Sequence, residues 1–270
     1  MILVTGATGT VGGYVAQLLD ARGVEYRAMT RHPARVPHGV HGDFDDSASL
    51  ARAVRGADAL FLLTRGGPDD IAMLSTAAKA GVGTIVKLSV IDIGPAADWH
   101  RPGEDALRAS GHAWTVLRPT TFASNTLHWA GRIRDGLPVV NPTGSARQGI
   151  IDPRDIAEVA VEALLNGEHH GRTYTLTGPE LLSVADQAAV LAEVLARPVP
   201  TVDVSLDELR ADLLASGATD EYADGVVAGT RLVLAGRNEV LTPDVAQVLG
   251  RAPRTFATWA RDHRAAFLAT

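Results

Sequence analysis

The chain has 270 residues, 46% of them hydrophobic, a net charge of −6 and no cysteine. That length fits one large domain or a domain with a smaller lobe, and the acidic balance argues against a nucleic-acid partner. The missing cysteines exclude disulfides, thiolate metal sites and cysteine nucleophiles. Since no run of about 18 apolar residues occurs and the N-terminus leads straight into a strand, no membrane span or signal peptide is expected, and the location expected is cytoplasmic.

Residues 1–5 read as a buried strand, and Gly6-Ala7-Thr8-Gly9-Thr10-Val11-Gly12 follows it and opens a helix over residues 10–19. Strand, glycine turn, helix is the context that makes a glycine motif a phosphate cradle. Glycine allows the tight turn and the close backbone approach, and the helix N-terminus offers unpaired N–H groups to an anion. The alternative is a helix-start turn with incidental glycines. A second strand, 25–30, ends at Arg31, with Arg35 four residues on. An acidic residue here accepts from a ribose 2′-hydroxyl, whereas a guanidinium fits a 2′-phosphate. Arg31 and Arg35 therefore predict NADP(H) over NAD(H), unless they are ordinary surface arginines.

Residues 58–64 form the next apolar strand. A helix over 68–80 has Pro68 near its start, Asp69 and Asp70 in its first turn and Gly81 closing it. Strand 84–90, a helix over 98–110 around Pro102, and strand 114–118 complete the rhythm. Continuous apolar strands separated by helices imply a parallel sheet buried on both faces. Beyond residue 120 the reading is a short helix over 122–130, a Gly/Pro-rich stretch over 136–149, and a helix opened by Asp152-Pro153 and running to about Leu165. Residues 174–177 are the last expected strand of the sheet. The remainder is mainly helical, with a capping box at Ser205-Leu206-Asp207-Glu208 and a helix opened by Thr242-Pro243. The fold class expected is α/β: a Rossmann-type doubly wound parallel sheet with a smaller, mainly helical C-terminal lobe. Residues 1–178 form the dinucleotide domain, with 121–150 contributing to the substrate pocket, and 179–270 form the substrate lobe.

The spacing G-x-x-G-x-x-G resembles short-chain dehydrogenase/reductases. With Thr30-Arg31, Gly42-Asp43-Phe44-Asp45-Asp46, Lys87-Leu88-Ser89, Thr115-Val116-Leu117-Arg118-Pro119, Phe122, Asn125 and residues 152–157, the chain resembles the NmrA-like atypical branch over most of its length. The resemblance implies a Rossmann core that binds NADP(H). It places Asp43 and Phe44 beside the adenine, and Leu63, Thr64, Ser89, Val90, Pro119, Thr120 and Phe122 along the ribose and nicotinamide. Gly6, Thr8, Gly9, Thr10, Val11 and Gly12 hold the phosphates. The family includes quinone and ketone reductases and regulators that bind the dinucleotide without turnover.

The chain departs from the Tyr-x-x-x-Lys pair of standard short-chain reductases. Its tyrosines are 14, 26, 174 and 222, and the residues four later are Leu18, Thr30, Gly178 and Val226; its lysines are Lys79 and Lys87. At the matching helix stands His100-Arg101-Pro102-Gly103-Glu104. His100 is a candidate proton donor that Glu104 one turn on orients or whose pKa it raises, or both lie on an ordinary amphipathic surface. Ser89 is the other catalytic candidate: its hydroxyl donates to a substrate carbonyl or holds the nicotinamide ribose. Lys87 shares a strand face with Ser89 and either reaches a strand end or pairs with a carboxylate. His128 and Trp129 line the substrate pocket or are plain core, and His169-His170 is read as a solvated turn. No metal-ligand spacing is present. The expected activity is an NADPH-dependent reduction of a small-molecule quinone or activated ketone. The alternative is a cofactor-sensing regulator with a protein partner. A homodimer is left open.

Overall fold

The computed structural model describes residues 1–91 and 94–268. In chain order its elements are β1 (Ile2–Val4), α1 (Thr10–Ala21), β2 (Tyr26–Thr30), β3 (Gly39–His41), α2 (Ser47–Val54), β4 (Ala59–Leu62), α3 (Pro68–Ala80) and β5 (Thr84–Leu88). Then come α4 (Gly94–Ala109), β6 (Ala113–Pro119), β7 (Thr121–Phe122), α5 (Ala130–Arg134), β8 (Val139–Asn141), β9 (Gln148–Ile151), α6 (Pro153–Leu165) and β10 (Arg172–Leu176). The chain continues through β11 (Leu181–Leu182), α7 (Val184–Leu195), β12 (Thr201–Asp203), α8 (Leu206–Ala215), α9 (Asp220–Leu234), α10 (Asp244–Leu249) and α11 (Phe256–Asp262).

The seven-stranded sheet runs β10-β6-β5-β4-β1-β2-β3, and every pairing in it is parallel. β1 pairs with β2 on one side and β4 on the other, so the strand order reverses beside it. In open α/β sheets that reversal opens a crevice at the carboxyl ends of the strands, where ligands bind. Each face of the sheet carries its own apolar core. One includes Val11, Val15 and Leu19 of α1 with much of α6, and the other includes Leu50, Ala53, Met73, Leu74 and Ala77 of α2 and α3. This two-sided burial is why β1 and β4 are apolar at every position.

Helix ends follow their chemistry. α3 has Pro68 at its start and stops at Gly81, which takes the left-handed conformation at φ 76°. α6 is capped by Asp152, whose side chain accepts from the Arg154 N–H. Capping boxes at Ser183/Asp186 and Ser205/Glu208 start α7 and α8.

A third core joins Ala123, Ile133, Val139 and Ile150 to α7, Phe256, Trp259 and Phe267. Two small sheets, β11-β9-β7 and β12-β8, stitch it together. The stretch 136–149, read as Gly/Pro-rich, thus holds β8 and the start of β9. The expected helix over 122–130 is β7 followed by a 3-10 turn over Ala123–Trp129. The strand partners are remote in sequence: β7 pairs with Ile150–Ile151, β9 also with Leu181–Leu182, and β8 with Thr201–Asp203. α4 runs unbroken through Pro102. Its first turn begins ahead of the expected start at residue 98.

Candidate functional site

The site begins in the turn after β1. Gly6 has φ +65°, and a Cβ there would lie 2.8 Å from Leu63 Cδ2. A Cβ on Gly12 would lie 2.2 Å from the Gly6 carbonyl oxygen, so α1 can approach the turn only with glycine at that position. Gly9 N-caps α1 without a side-chain hydrogen bond, and the first turn of α1 contains no acidic residue. The first N–H groups of that helix are therefore left for an anion, and the cradle fits a pyrophosphate. Thr8, Gly9 and Thr10 are exposed at its rim. The Val11 side chain lies in the core, so only its backbone faces the cradle.

Beside it, Gly6, Thr8, Arg31, Asp43, Phe44 and Arg65 help line a cleft of about 230 Å³. Among the described residues Arg31 takes no hydrogen-bond or ion-pair partner. Arg35 belongs to the 3-10 turn Pro33–Arg35 and is exposed, outside the lining of this cleft. Asp43 is fixed by its N–H to Ser49 Oγ at 2.8 Å, and Asp46 caps α2 beneath it. Arg65 binds Asp69 at 2.6 Å and Asp45 at 3.2 Å, spanning the cleft mouth.

At the carboxyl ends of β4, β5 and β6 the charges are sealed instead. Lys87 Nζ meets Asp70 Oδ2 at 2.6 Å with both side chains fully buried. Asp70 also accepts from Thr64 Oγ1 at 2.6 Å. Burial pushes the Lys87 amine below its ordinary value, while Asp70 and Glu104 pull it back. Next to this pair, Ser89 Oγ donates to Glu104 Oε1 at 2.6 Å. Arg118 and Arg108 hold Glu104 Oε2 at 2.6 and 2.7 Å. Burial alone would raise the Glu104 pKa, but hydrogen bonds from Arg118, Ser89 and Arg108 outweigh it and bring it to about 2. A Cβ on Gly103 would lie 2.2 Å from Asp70 Oδ2, so this glycine lets α4 close on the buried pair.

His100 leans on the same group of residues. A Cβ built on Gly66 would lie 3.1 Å from its Cε1, and Trp99 covers Gly66 and Gly67 while its indole N–H donates to the Arg65 carbonyl at 2.7 Å. Among the described residues, His100 Nδ1 is buried without a hydrogen-bond partner. Burial first, then the Lys87 charge, hold the His100 pKa below its ordinary value, against the pull of Asp70 and Glu104. The expected orientation of His100 by Glu104 is therefore corrected: the carboxylate is occupied by Ser89, Arg108 and Arg118. Nor is Glu104 a surface residue, being 2% exposed.

The other candidates fall around this edge. Leu63 is bound through its N–H to Thr5 Oγ1 at 2.7 Å. Val90 and Phe122 are half-buried, and Pro119 is buried with its carbonyl accepting from the Ile91 N–H. Thr120 donates to the Gly149 carbonyl, which ties the end of β6 to β9. His128 is exposed, while Trp129 packs against the third core. His169 is buried rather than solvated, with Nδ1 2.9 Å from the Tyr174 hydroxyl. Asp70, Arg65 and Gly103 were not singled out by sequence for these roles. A lysine inside an apolar strand was the available signal for Asp70, since a buried ammonium demands a carboxylate.

A family model described as NAD(P)H-binding matches residues 6–167. The chain is 40% identical over 282 residues to (4-alkanoyl-5-oxo-2,5-dihydrofuran-3-yl)methyl phosphate reductase of Streptomyces griseus, covering 99% of both chains. It is 35% identical to NAD(P)H azoreductase of Xenophilus azovorans, again covering 99% of both. A solved NADPH-dependent quinone oxidoreductase of Escherichia coli superposes with a TM-score of 0.85 at 25% identity, covering 97% of this chain and 99% of that one. These matches, with the reversed strand order at β1 and the uncapped glycine cradle, identify the chain as an NAD(P)H-dependent oxidoreductase of the NmrA-like atypical short-chain dehydrogenase/reductases.

Proposed function

We propose that this oxidoreductase uses NADPH to reduce a quinone or another small molecule whose carbonyl is conjugated to an aromatic system. The bound dinucleotide supplies the hydride. The chain supplies the cradle of Gly6, Gly9 and Gly12, the unpartnered Arg31 for a 2′-phosphate, and the edge formed by Leu63, Thr64, Ser89, Val90, Pro119, Thr120 and Phe122.

The observation that carries this reading is how the proton donors at that edge are used. The Ser89 proton goes to Glu104 and the Lys87 ammonium to Asp70. No tyrosine stands four residues before a lysine. A conjugated acceptor suits such a site because its reduced oxygen is stabilised and takes its proton from solvent. An isolated alkyl ketone needs a strong acid at the moment of transfer. Positioning supplies the remaining acceleration. The named relatives support a reductase of small molecules: by name they are a dihydrofuranyl methyl phosphate reductase, an azoreductase and a quinone oxidoreductase. Within this reading, residues 1–178 bind the dinucleotide and 179–270 select the substrate.

The test is NADPH oxidation across a panel of quinones, aromatic-conjugated ketones and plain alkyl ketones, after cofactor binding has been measured by calorimetry. Turnover confined to the conjugated acceptors is expected. Tight NADPH binding without turnover of any of them would refute the reading.

A further inference from the structure

We propose that Glu104 is a positioning residue that acts through Ser89, fixing its hydroxyl as a hydrogen-bond acceptor toward the ligand. A serine hydroxyl has one proton and two lone pairs. At Ser89 the proton lies on Glu104 Oε1 at 2.6 Å, inside the protein. While it is ionised the partner can only accept, so it has no proton to return to Ser89, and two arginines keep it so. Arg118 reaches both carboxylate oxygens, through Nε to Oε1 at 3.1 Å and Nη2 to Oε2 at 2.6 Å, and Arg108 adds 2.7 Å to Oε2. The Ser89 N–H is used as well, donating to the Leu117 carbonyl at 2.8 Å. What Ser89 Oγ offers at the carboxyl edge of β5 is therefore lone pairs.

The ligand group that matches a lone pair is a donor: a ribose hydroxyl or the carboxamide N–H of a nicotinamide nucleoside. A substrate carbonyl is an acceptor and finds no proton here. Of the two roles open to Ser89 from sequence, the network favours holding the cofactor. The inference rests on the reading that Ser89 meets the dinucleotide.

The experiment is a double-mutant cycle on the full chain, read as NADPH Kd by calorimetry. In Glu104→Gln the amide N–H at the Oε1 position donates to Ser89 and turns the serine proton outward. Ser89→Ala and Glu104→Gln are each expected to weaken NADPH on the order of tenfold, the worth of one hydrogen bond to a bound ligand. The double variant is expected to bind no more weakly than Ser89→Ala alone, because Glu104 then has nothing to act through. If Glu104→Gln weakens binding by the same factor with and without the serine hydroxyl, Glu104 is merely structural and the proposal fails. If Ser89→Ala leaves the Kd unchanged while Arg31→Ala raises it, the placement of Ser89 against the cofactor fails, and the proposal with it. Should Glu104→Gln not fold by its thermal melt, Glu104→Asp completes the same cycle. The shorter carboxylate keeps its charge for the arginines and falls short of Ser89.

Discussion

In the cleft beside Gly42 and Asp43, Arg31 is exposed and has no partner among the described residues, and Arg65 bridges two exposed or partly exposed carboxylates. At the carboxyl ends of β5 and β6, Lys87, Asp70 and Glu104 are buried, and each has a partner. Under the proposed function, the contrast follows from what each end would recognise. A cleft that takes a charged group keeps a cation in water, where leaving it unpaired costs little. An edge that holds a neutral ring has to exclude water, so each charge there needs an internal partner before any ligand arrives. On that reading the first region would owe its selectivity to a free charge, the second to geometry built from paired ones.

The largest effect expected from breaking this contrast is at the sealed end. Lys87→Met leaves Asp70 buried without its cation, and urea unfolding should show a loss of about 3–5 kcal/mol. The double variant Lys87→Met/Asp70→Asn should recover much of it. A single-variant loss under about 1 kcal/mol would mean that the pair is not the sealed element described. Acid sharpens the same point. The Glu104 pKa is lowered from 4.5 to about 2 on folding, so its contribution is complete above pH 4.5 and is lost as pH falls through about 2. Glu104→Gln removes this linkage, and its unfolding midpoint should decline less steeply than the wild type's across that window.

At the open end, Arg31→Ala should cost NADPH about 1.5–3 kcal/mol of binding, the range for a hydrogen bond to a charged group. NADH, which has no 2′-phosphate, should lose much less. Equal losses in the calorimeter would remove Arg31 from the phosphate contact.

Sequence exposed the open end more fully than the sealed one, and the reason is physical. The turn from Gly6 to Gly12, Pro68 to Gly81 and Asp152-Pro153 are set by backbone rules within a few residues, and the structure follows them to the residue at α3 and α6. β7, β8 and β9 depend on strands far along the chain, so local pattern could not reveal them. β3 and α2 also went unread, although Asp46 is a regular N-cap. Lys87 could be seen to need a carboxylate, but Asp70 looked like a first-turn helix acid. His100 and Glu104 share a helix at one-turn spacing, yet Glu104 turns to Arg118 of β6 and to Ser89 just past β5, a choice made by tertiary packing.

A smaller effect is expected under the cleft. Asp46 Oδ1 accepts from the Ala48 and Ser49 N–H groups, and Ser49 Oγ in turn holds Asp43. Asp46→Ala should lower stability by about 1 kcal/mol in urea unfolding. Its NADPH Kd should rise modestly because Asp43 loses part of its support.

The smallest effect discriminates most finely between the two regions. Arg65 and Asp45 pair at 3.2 Å with both side chains mostly exposed, so breaking the pair should change stability by less than about 1 kcal/mol. Binding is a different matter, because Asp45 lines the same cleft as Arg31. A carboxylate there repels a 2′-phosphate and occupies one arm of Arg65. Asp45→Asn should therefore tighten NADPH a few-fold at low salt and leave NADH nearly unchanged, and the gain should shrink as salt screens the cleft. Were the same variant to weaken both cofactors alike, Asp45 would be contributing a contact common to both, and the selectivity of the open end would rest on Arg31 alone.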